Sequence, residues 1–506
     1  MKRSLIMIFV ASYASILLSS CDTINNRTLE EYEVIDDSNE ISSEQFREFL
    51  NLKSISFSNN IKTIKANAFA NTEKLENVYF NGTLNDWCNI EFENEKSNPM
   101  YFAKNFYINS NNQYILLTSI KVPNSINTIK SYTFTGFDID KLTIANNIRV
   151  FEENSFSHSN VTNMYFDGTL AQWCDISFSN LTSSPIDETT GIYMKDESGE
   201  YYPILDTLYI PESVSEIHDY QFANFKMVNE IILPRNIKRI GKYAFLLKKD
   251  SIESLHYNGT LNDWLKIEFA SKFSNPMELS QRTYMLNNDH DYYELTSLNT
   301  IVIDDTIEKL GDYQLSGITS FENLYLSKSV KKIGKNVLGS YDVLIDNLYY
   351  DGNISDWCNI EFSDKYTIIS DINNIHFLEN ENYFKVEKTI YIPGEVKNIK
   401  PFQFSGFRKV ETFILQEGIE NIEQNAFANC YALQGIVLPS SISSIKEDVF
   451  VECSKLSSIY YFGNQEQYKS IQMPKFDFDL YYYSEEEPTE NGDYWHYDNN
   501  EIVIWE

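Results

Sequence analysis

The feature that most constrains this chain is its self-similarity. A unit of the form L-x-x-[IL]-x-[IVLF]-(P)-x-x-[IV]-x-x-I-x-x-x-x-F, with the proline present in some copies, recurs along it. Examples are LDTLYIPESVSEIHDYQF at 205–222, VNEIILPRNIKRIGKYAF at 228–245, VETFILQEGIENIEQNAF at 410–427 and LQGIVLPSSISSIKEDVF at 433–450. A closing aromatic marks the register at Phe69, Phe134, Phe156, Phe222, Phe245, Phe404, Phe427 and Phe450, with Leu315 and Leu338 in its place twice. The last two apolar positions of L-x-x-I-x-I alternate, as in a short strand with one buried face. Pro123, Pro211, Pro234, Pro393 and Pro439 end that strand, because proline cannot donate to a ladder. No unit buries its own apolar side, whereas stacked units shield one another. Each plug phenylalanine is expected to contribute roughly 1.5–3 kcal/mol of burial. The expectation is a repeat solenoid, mainly β with short helical segments and a parallel sheet.

A second, longer period runs through the first. NGTLNDWCNIEF at 81–92 returns as DGTLAQWCDISF at 167–178, NGTLNDWLKIEF at 258–269 and DGNISDWCNIEF at 351–362. A fifth copy, YFGNQEQYKSI from Tyr461, puts Tyr468 in the Trp place. The higher-order module is therefore two repeats plus one cassette, with three repeats in the last. Thr83 with Asp86 resembles a capping box at a helix start. Leu84, Trp87 and Cys88 then share one helix face. Gly82, Gly168, Gly259 and Gly352 precede the helix, where a turn is expected to need unusual backbone angles. Each full cassette runs on into a hairpin-like pair of strands with polar, variable tips, such as FYINSNNQYIL from Phe106. Trp87, Trp173, Trp264 and Trp357 have two readings: the core plug of the cassette, which their shared face favours, or exposed indoles forming a platform for glycans or peptides.

The pattern I-x-I-P-x-x-V-x-x-I-x-x-x-A-F resembles the leucine-rich repeats of bacterial BspA-like surface proteins. The likeness covers most of the chain, and the tail from Glu487 through Trp495 to Trp505 is similar to the ending of many such proteins. It implies a leucine-rich-repeat solenoid, interrupted here by the Trp-containing helix-plus-hairpin cassettes, with export to the cell surface and protein binding or adhesion. It implies no catalytic site.

The start of the chain reads as a targeting signal. Met1, Lys2 and Arg3 supply a positive end, an apolar stretch runs over 5–18, and Leu18-Ser19-Ser20-Cys21 resembles the bacterial lipobox. Cys21 is the expected lipidation site; a plain secretory peptide with an incidental cysteine is the alternative. The expected layout is a lipoprotein signal peptide at 1–20 and a polar tether at 21–44. A solenoid of about ten repeats follows at 45–480, then an acidic aromatic tail at 481–506. The cassettes fall near 79–116, 164–204, 256–297, 349–385 and 460–480.

No catalytic motif stands out along this sequence. The six histidines are scattered, and no H-x-x-x-H, C-x-x-C, P-loop or G-x-S-x-G pattern occurs. Asp289-His290-Asp291 reads as a solvated hairpin tip, so no metal, cofactor or catalytic residue is expected. Cys88, Cys174 and Cys358 follow the cassette Trp where the third copy has Leu265, so they read as small core hydrophobes. Cys430 and Cys453 stand one repeat apart as possible neighbours. With 73 acidic and 41 basic residues the net charge is −32, which repels nucleic acid and leaves a partner with a basic face open. The reading is a non-enzymatic, lipid-anchored surface protein binding an extracellular protein or glycan. A structural or immune-variable coat is the alternative, and an enzyme the least supported.

Overall fold

The structure is a computed structural model describing residues 26–34, 39–247, 251–318, 320–338, 344–364, 372–475, 477–489, 492–499 and 501–505. The expected signal peptide and the expected lipidation site Cys21 lie outside these residues. Two ladders run along the stack. In the first module a wide sheet pairs Glu31–Val34, Ser54–Ser58, Asn77–Asn81 and Asn105–Ser110 in parallel. A narrow sheet pairs the two-residue strands Glu40–Ile41, Thr63–Ile64 and Glu91–Phe92. The wide strands come from L-x-x-I-x-I and the narrow ones from the I-x-x-I segment, so each turn crosses the core once in each direction. Inward residues such as Ile55, Val78, Phe80 and Ile64 are fully buried.

The cassettes disturb the spacing of the motif yet continue both ladders. Asn77–Asn81 is a wide strand, Leu84–Cys88 a helix, and Glu91–Phe92 a narrow strand. Full capping boxes start all five cassette helices: Thr83 with Asp86, Thr169 with Gln172, Thr260 with Asp263, Asn353 with Asp356 and Asn464 with Gln467. The glycines before these helices do not have left-handed angles. A Cβ at Gly82 would sit 2.7 Å from the Phe80 ring, and one at Gly259 would sit 2.6 Å from the Tyr257 ring. Crowding by the buried ring two residues back, and not backbone conformation, requires glycine there.

The expected polar tether is partly folded. Glu31–Val34 pairs with Ser54–Ser58, and Phe46 is a further plug, stacked 5.0 Å from Phe69. Alternating Tyr32, Val34 and Ile41 supply its inward face without the motif's leucine and proline, which hid it in the sequence. The tail is folded as well: Asp479–Tyr483 joins the last wide sheet, followed by the hairpin of Tyr494–Asp498 and Glu501–Ile504.

All eight plug phenylalanines are buried, and neighbours stack, Phe134 on Phe156 at 5.0 Å and Phe404 on Phe427 at 5.6 Å. Leu315 and Leu338 are buried in the same places. Two positions before each plug the backbone is left-handed. The φ values are 59° at Asn67, 62° at Tyr132, 59° at Tyr220, 60° at Phe402 and 59° at Asp448. Asparagine accepts this conformation readily; tyrosine, phenylalanine and aspartate hold it because the stack over-determines the turn.

The wide sheet is not continuous. At the end of each of the first four modules the chain reverses: Gln113–Leu116 returns antiparallel along Asn105–Ser110, and the next module begins a new sheet at Ser119–Lys121. Across these breaks the cassette tryptophans, all fully buried, join one module to the next. Their indole N–H groups donate to backbone carbonyls just before the next plug. Trp87 reaches Thr133 at 2.9 Å, Trp173 Gln221 at 3.1 Å, Trp264 Gln314 at 2.7 Å and Trp357 Gln403 at 2.9 Å. Gln221 and Gln403 return bonds to the Trp173 and Trp357 carbonyls at 2.6 and 2.7 Å. Trp87 also packs against Phe137 of the next module at 5.9 Å. Behind the fifth cassette comes the tail, and there Tyr468 packs on Tyr461 at 5.4 Å.

Candidate binding face

Each wide sheet has one buried face and one outer face. The outward positions are the x residues of V-x-F, M-x-F, L-x-Y and their neighbours, and parallel register lines them up in rows. One row is polar. In the first module Asn105 donates to Asn77 at 3.0 Å and Asn77 to Ser54 at 3.3 Å. In the fourth, Asn374 donates to Asn347 at 3.1 Å and Asn347 to Asn323 at 3.0 Å.

The row beside it is aromatic. Tyr79 stacks on Tyr107 at 4.7 Å, Tyr165 on Tyr193 at 4.5 Å, His256 on Tyr284 at 4.7 Å and Tyr349 on His376 at 4.5 Å, all within 16° of parallel. The return strand adds a third ring edge-on: Tyr114 against Tyr79, Tyr201 against Tyr165, Tyr292 against His256 and Tyr383 against Tyr349, each 5.1–5.3 Å away. The third ring is latched to the first residue of the cassette. The Tyr201 hydroxyl donates to Asp167 at 2.5 Å, Tyr292 to Asn258 and Tyr383 to Asp351. Burial holds the His376 imidazole below its ordinary pKa, so the ring is neutral at neutral pH.

The return strands carry some of the exposed apolar side chains: Ile115, Leu116, Tyr202 and Phe384. In the second module two cations sit on this row: the Lys141 ammonium lies 4.3 Å from the Tyr165 ring centre and Lys195 lies 5.2 Å from Tyr201. In the last module the row runs through Tyr391, Ile414, Val437, Tyr460 and Tyr481. Here the tail hairpin lies over it, burying Trp495 against Ile414 and Val437 and placing it edge-on to Tyr460 at 5.7 Å.

Among the described residues no three His, Cys, Asp or Glu side chains gather as a metal site. Asp289-His290-Asp291 sits in a turn closed by Asn287, whose carboxamide oxygen accepts from the Asp289 and Asp291 amides at 2.9 Å. Cys88, Cys174, Cys358, Cys430 and Cys453 are free, buried thiols. Cys430 and Cys453 each donate to a plug carbonyl, Phe404 at 3.2 Å and Phe427 at 3.0 Å. The cassette tryptophans are buried. The outward rings are tyrosine and histidine, and their signal was the aromatic x between two inward residues in Val78-Tyr79-Phe80, Met164-Tyr165-Phe166, Leu255-His256-Tyr257 and Leu348-Tyr349-Tyr350.

Short parallel strands stacked turn on turn around apolar plugs define a leucine-rich-repeat solenoid, a scaffold that generally serves binding and not catalysis. The chain belongs to the BspA type leucine-rich repeat family, whose repeat region it matches over residues 18–99, 103–190, 197–288, 287–387 and 380–476. Among solved structures it is similar to a leucine-rich cell surface protein of Faecalibacterium prausnitzii. That match has 16% identity, covers 88% of this chain and 92% of that one, and has a TM-score of 0.28. It is also similar to a leucine-rich repeat protein of Bacteroides ovatus, at 14% identity, 88% and 87% coverage and a TM-score of 0.28. The pneumococcal vaccine antigen PcpA matches at 12% identity over 74% and 81% of the two chains, with a TM-score of 0.29. No curated protein matches the sequence. Among the described residues no helix is long and apolar enough to cross a membrane.

Proposed function

We propose that this is a surface lipoprotein, anchored through Cys21, whose outer sheet face binds an extracellular protein in adhesion. The observation that carries the reading is the aromatic row beside a polar row, repeated module after module on the face the core does not use. A protein partner suits the rows better than a glycan does. The ring faces are stacked on one another, so edges, hydroxyls and the apolar return strands meet the ligand, and few open faces remain for sugar rings.

The test is display of the mature chain against extracellular-matrix proteins and cell surfaces. Saturable binding is expected, with loss on pairing Tyr79→Ala with Tyr107→Ala or Tyr165→Ala with Tyr193→Ala. Binding untouched by both pairs would remove the outer face from the function. The anchor is tested apart from this: Cys21→Ala should move the protein from the detergent phase to the aqueous phase.

A further inference from the structure

The tail hairpin does not close flat on the last module. Between Tyr391 on the first strand and Tyr497 in the tail it leaves a groove of about 700 Å³. Ile414 forms the floor, Phe462 and the two tyrosines the walls, and Gln416 and Glu417 also line it. Tyr391 is 51% exposed. Phe462 and Tyr497 lie 6.1 Å apart at 43°, so the rings enclose the space from different directions instead of stacking away their faces as in the open rows.

We infer that this groove is a binding site for an alkylammonium group. Aromatic walls offer the negative faces of their rings, the carboxylate adds a full charge, and the floor is apolar. A cation carried on an apolar stem satisfies all three. An anion meets Glu417 and a net charge of −32. Ser440 gives its amide and hydroxyl to Glu417 at 3.0 and 3.1 Å, which fixes the carboxylate in place. The chain itself shows the preference: Lys141 lies 4.3 Å from the centre of Tyr165, and the Arg408 guanidinium 5.5 Å from Tyr431. Among the described residues no lysine or arginine lines the groove, so the charge must come from outside.

Two sources share this chemistry, the lysine side chain of a partner protein and a choline-type headgroup. The inference rests on the reading of the outer face as the binding face, but its test does not use adhesion. Calorimetric titrations of the mature chain at fixed ionic strength would compare choline, Nα-acetyl-lysine amide and 3,3-dimethylbutan-1-ol, the uncharged isostere of choline. One of the two ammonium compounds should bind saturably, about tenfold or more tighter than the isostere. Which one binds identifies the source. Tyr391→Ala and Glu417→Gln should each weaken it about tenfold, while Leu50→Ala, exposed in the first module and outside the rows, should leave it unchanged. Glu417→Gln keeps acceptors for Ser440 and serves if Tyr391→Ala misfolds. Equal binding of the isostere, binding by neither ammonium compound, or indifference to both groove variants would overturn the inference. Ammonium binding without matrix adhesion would instead leave the groove standing and sink the adhesion reading alone.

Discussion

Trp173 and Gln221, 48 residues apart, hold each other. The Trp173 indole N–H donates to the Gln221 backbone carbonyl at 3.1 Å, and the Gln221 side-chain carboxamide donates to the Trp173 backbone carbonyl at 2.6 Å. This pair bridges a break in the wide sheet, where the ladder itself supplies no bonds. Trp173→Phe keeps an aromatic body but leaves a buried carbonyl without a donor, and should cost about 2–4 kcal/mol. In a repeat stack the loss is local. Hydrogen exchange should therefore quicken at the junction of the second and third modules and stay unchanged in the last.

Gly136 and Gly199 separate two reasons for glycine. Both have positive φ, 76° and 88°, but a Cβ at Gly136 would lie 2.1 Å from the Met100 carbonyl oxygen across the first junction, whereas one at Gly199 meets nothing within 4 Å. Gly199→Ala should cost only the left-handed conformation, about 1–2 kcal/mol. Gly136→Ala should cost clearly more, since backbone must move against backbone. Denaturant melts of the two variants side by side give the comparison.

The buried cassette thiols make the fold sensitive to alkali. Burial pushes the Cys88 thiol up to about 12 and Cys358, with Lys400 opposing slightly, also to about 12. Above pH ~8.5 the unfolded chain loses these protons while the folded chain keeps them, so their contribution is full below that pH and falls as pH rises towards 12. Iodoacetamide at pH 8 should label neither thiol until the chain is unfolded, as mass spectrometry would show. Cys88→Leu, which copies Leu265, should cost under about 1.5 kcal/mol, and Cys88→Ser about 1–3 kcal/mol.

Asp448 holds φ at 59° two residues before Phe450. Relief of that conformation by glycine, about 1–2 kcal/mol, exceeds the entropy lost on ordering it, about 0.5–1 kcal/mol. Asp448→Gly should thus stabilise the last repeats slightly, and Asp448→Val should destabilise them, in urea melts monitored by tyrosine fluorescence.

Tyr383 and Asp351 latch the fourth return strand. Tyr383→Phe removes a bond to a charged acceptor on an exposed hairpin, so the global melt should barely move. Exchange of the amides at 372–385 should quicken several-fold, showing that the cassette's first residue sets the hairpin and not the core.

The spacing of inward residues made most of the solenoid legible. Leu-x-x-Ile-x-Ile and its plug, at Phe222 or Phe427, state which side chains must be covered and how often, and parallel stacking is the one arrangement that covers them all. The capping pairs such as Thr83 with Asp86 were equally local and equally readable. The first turn was not, because Tyr32, Val34 and Phe46 satisfy the same geometry with a different spelling. The candidate site was less legible still: an outward tyrosine such as Tyr79 is an unconstrained x until its neighbours are known.

The sequence alone determined the stack, its period and its buried stripe, because apolar periodicity is a property of neighbouring residues and needs no knowledge of distant ones. Only the tertiary structure decided where the sheet breaks, that Trp173 spans the break to Gln221, that outward rings meet in rows, and that the tail roofs the last row above Ile414. Each of these depends on which turns lie side by side at the approach distances of rings and hydrogen bonds, and that is fixed only when the whole chain has packed.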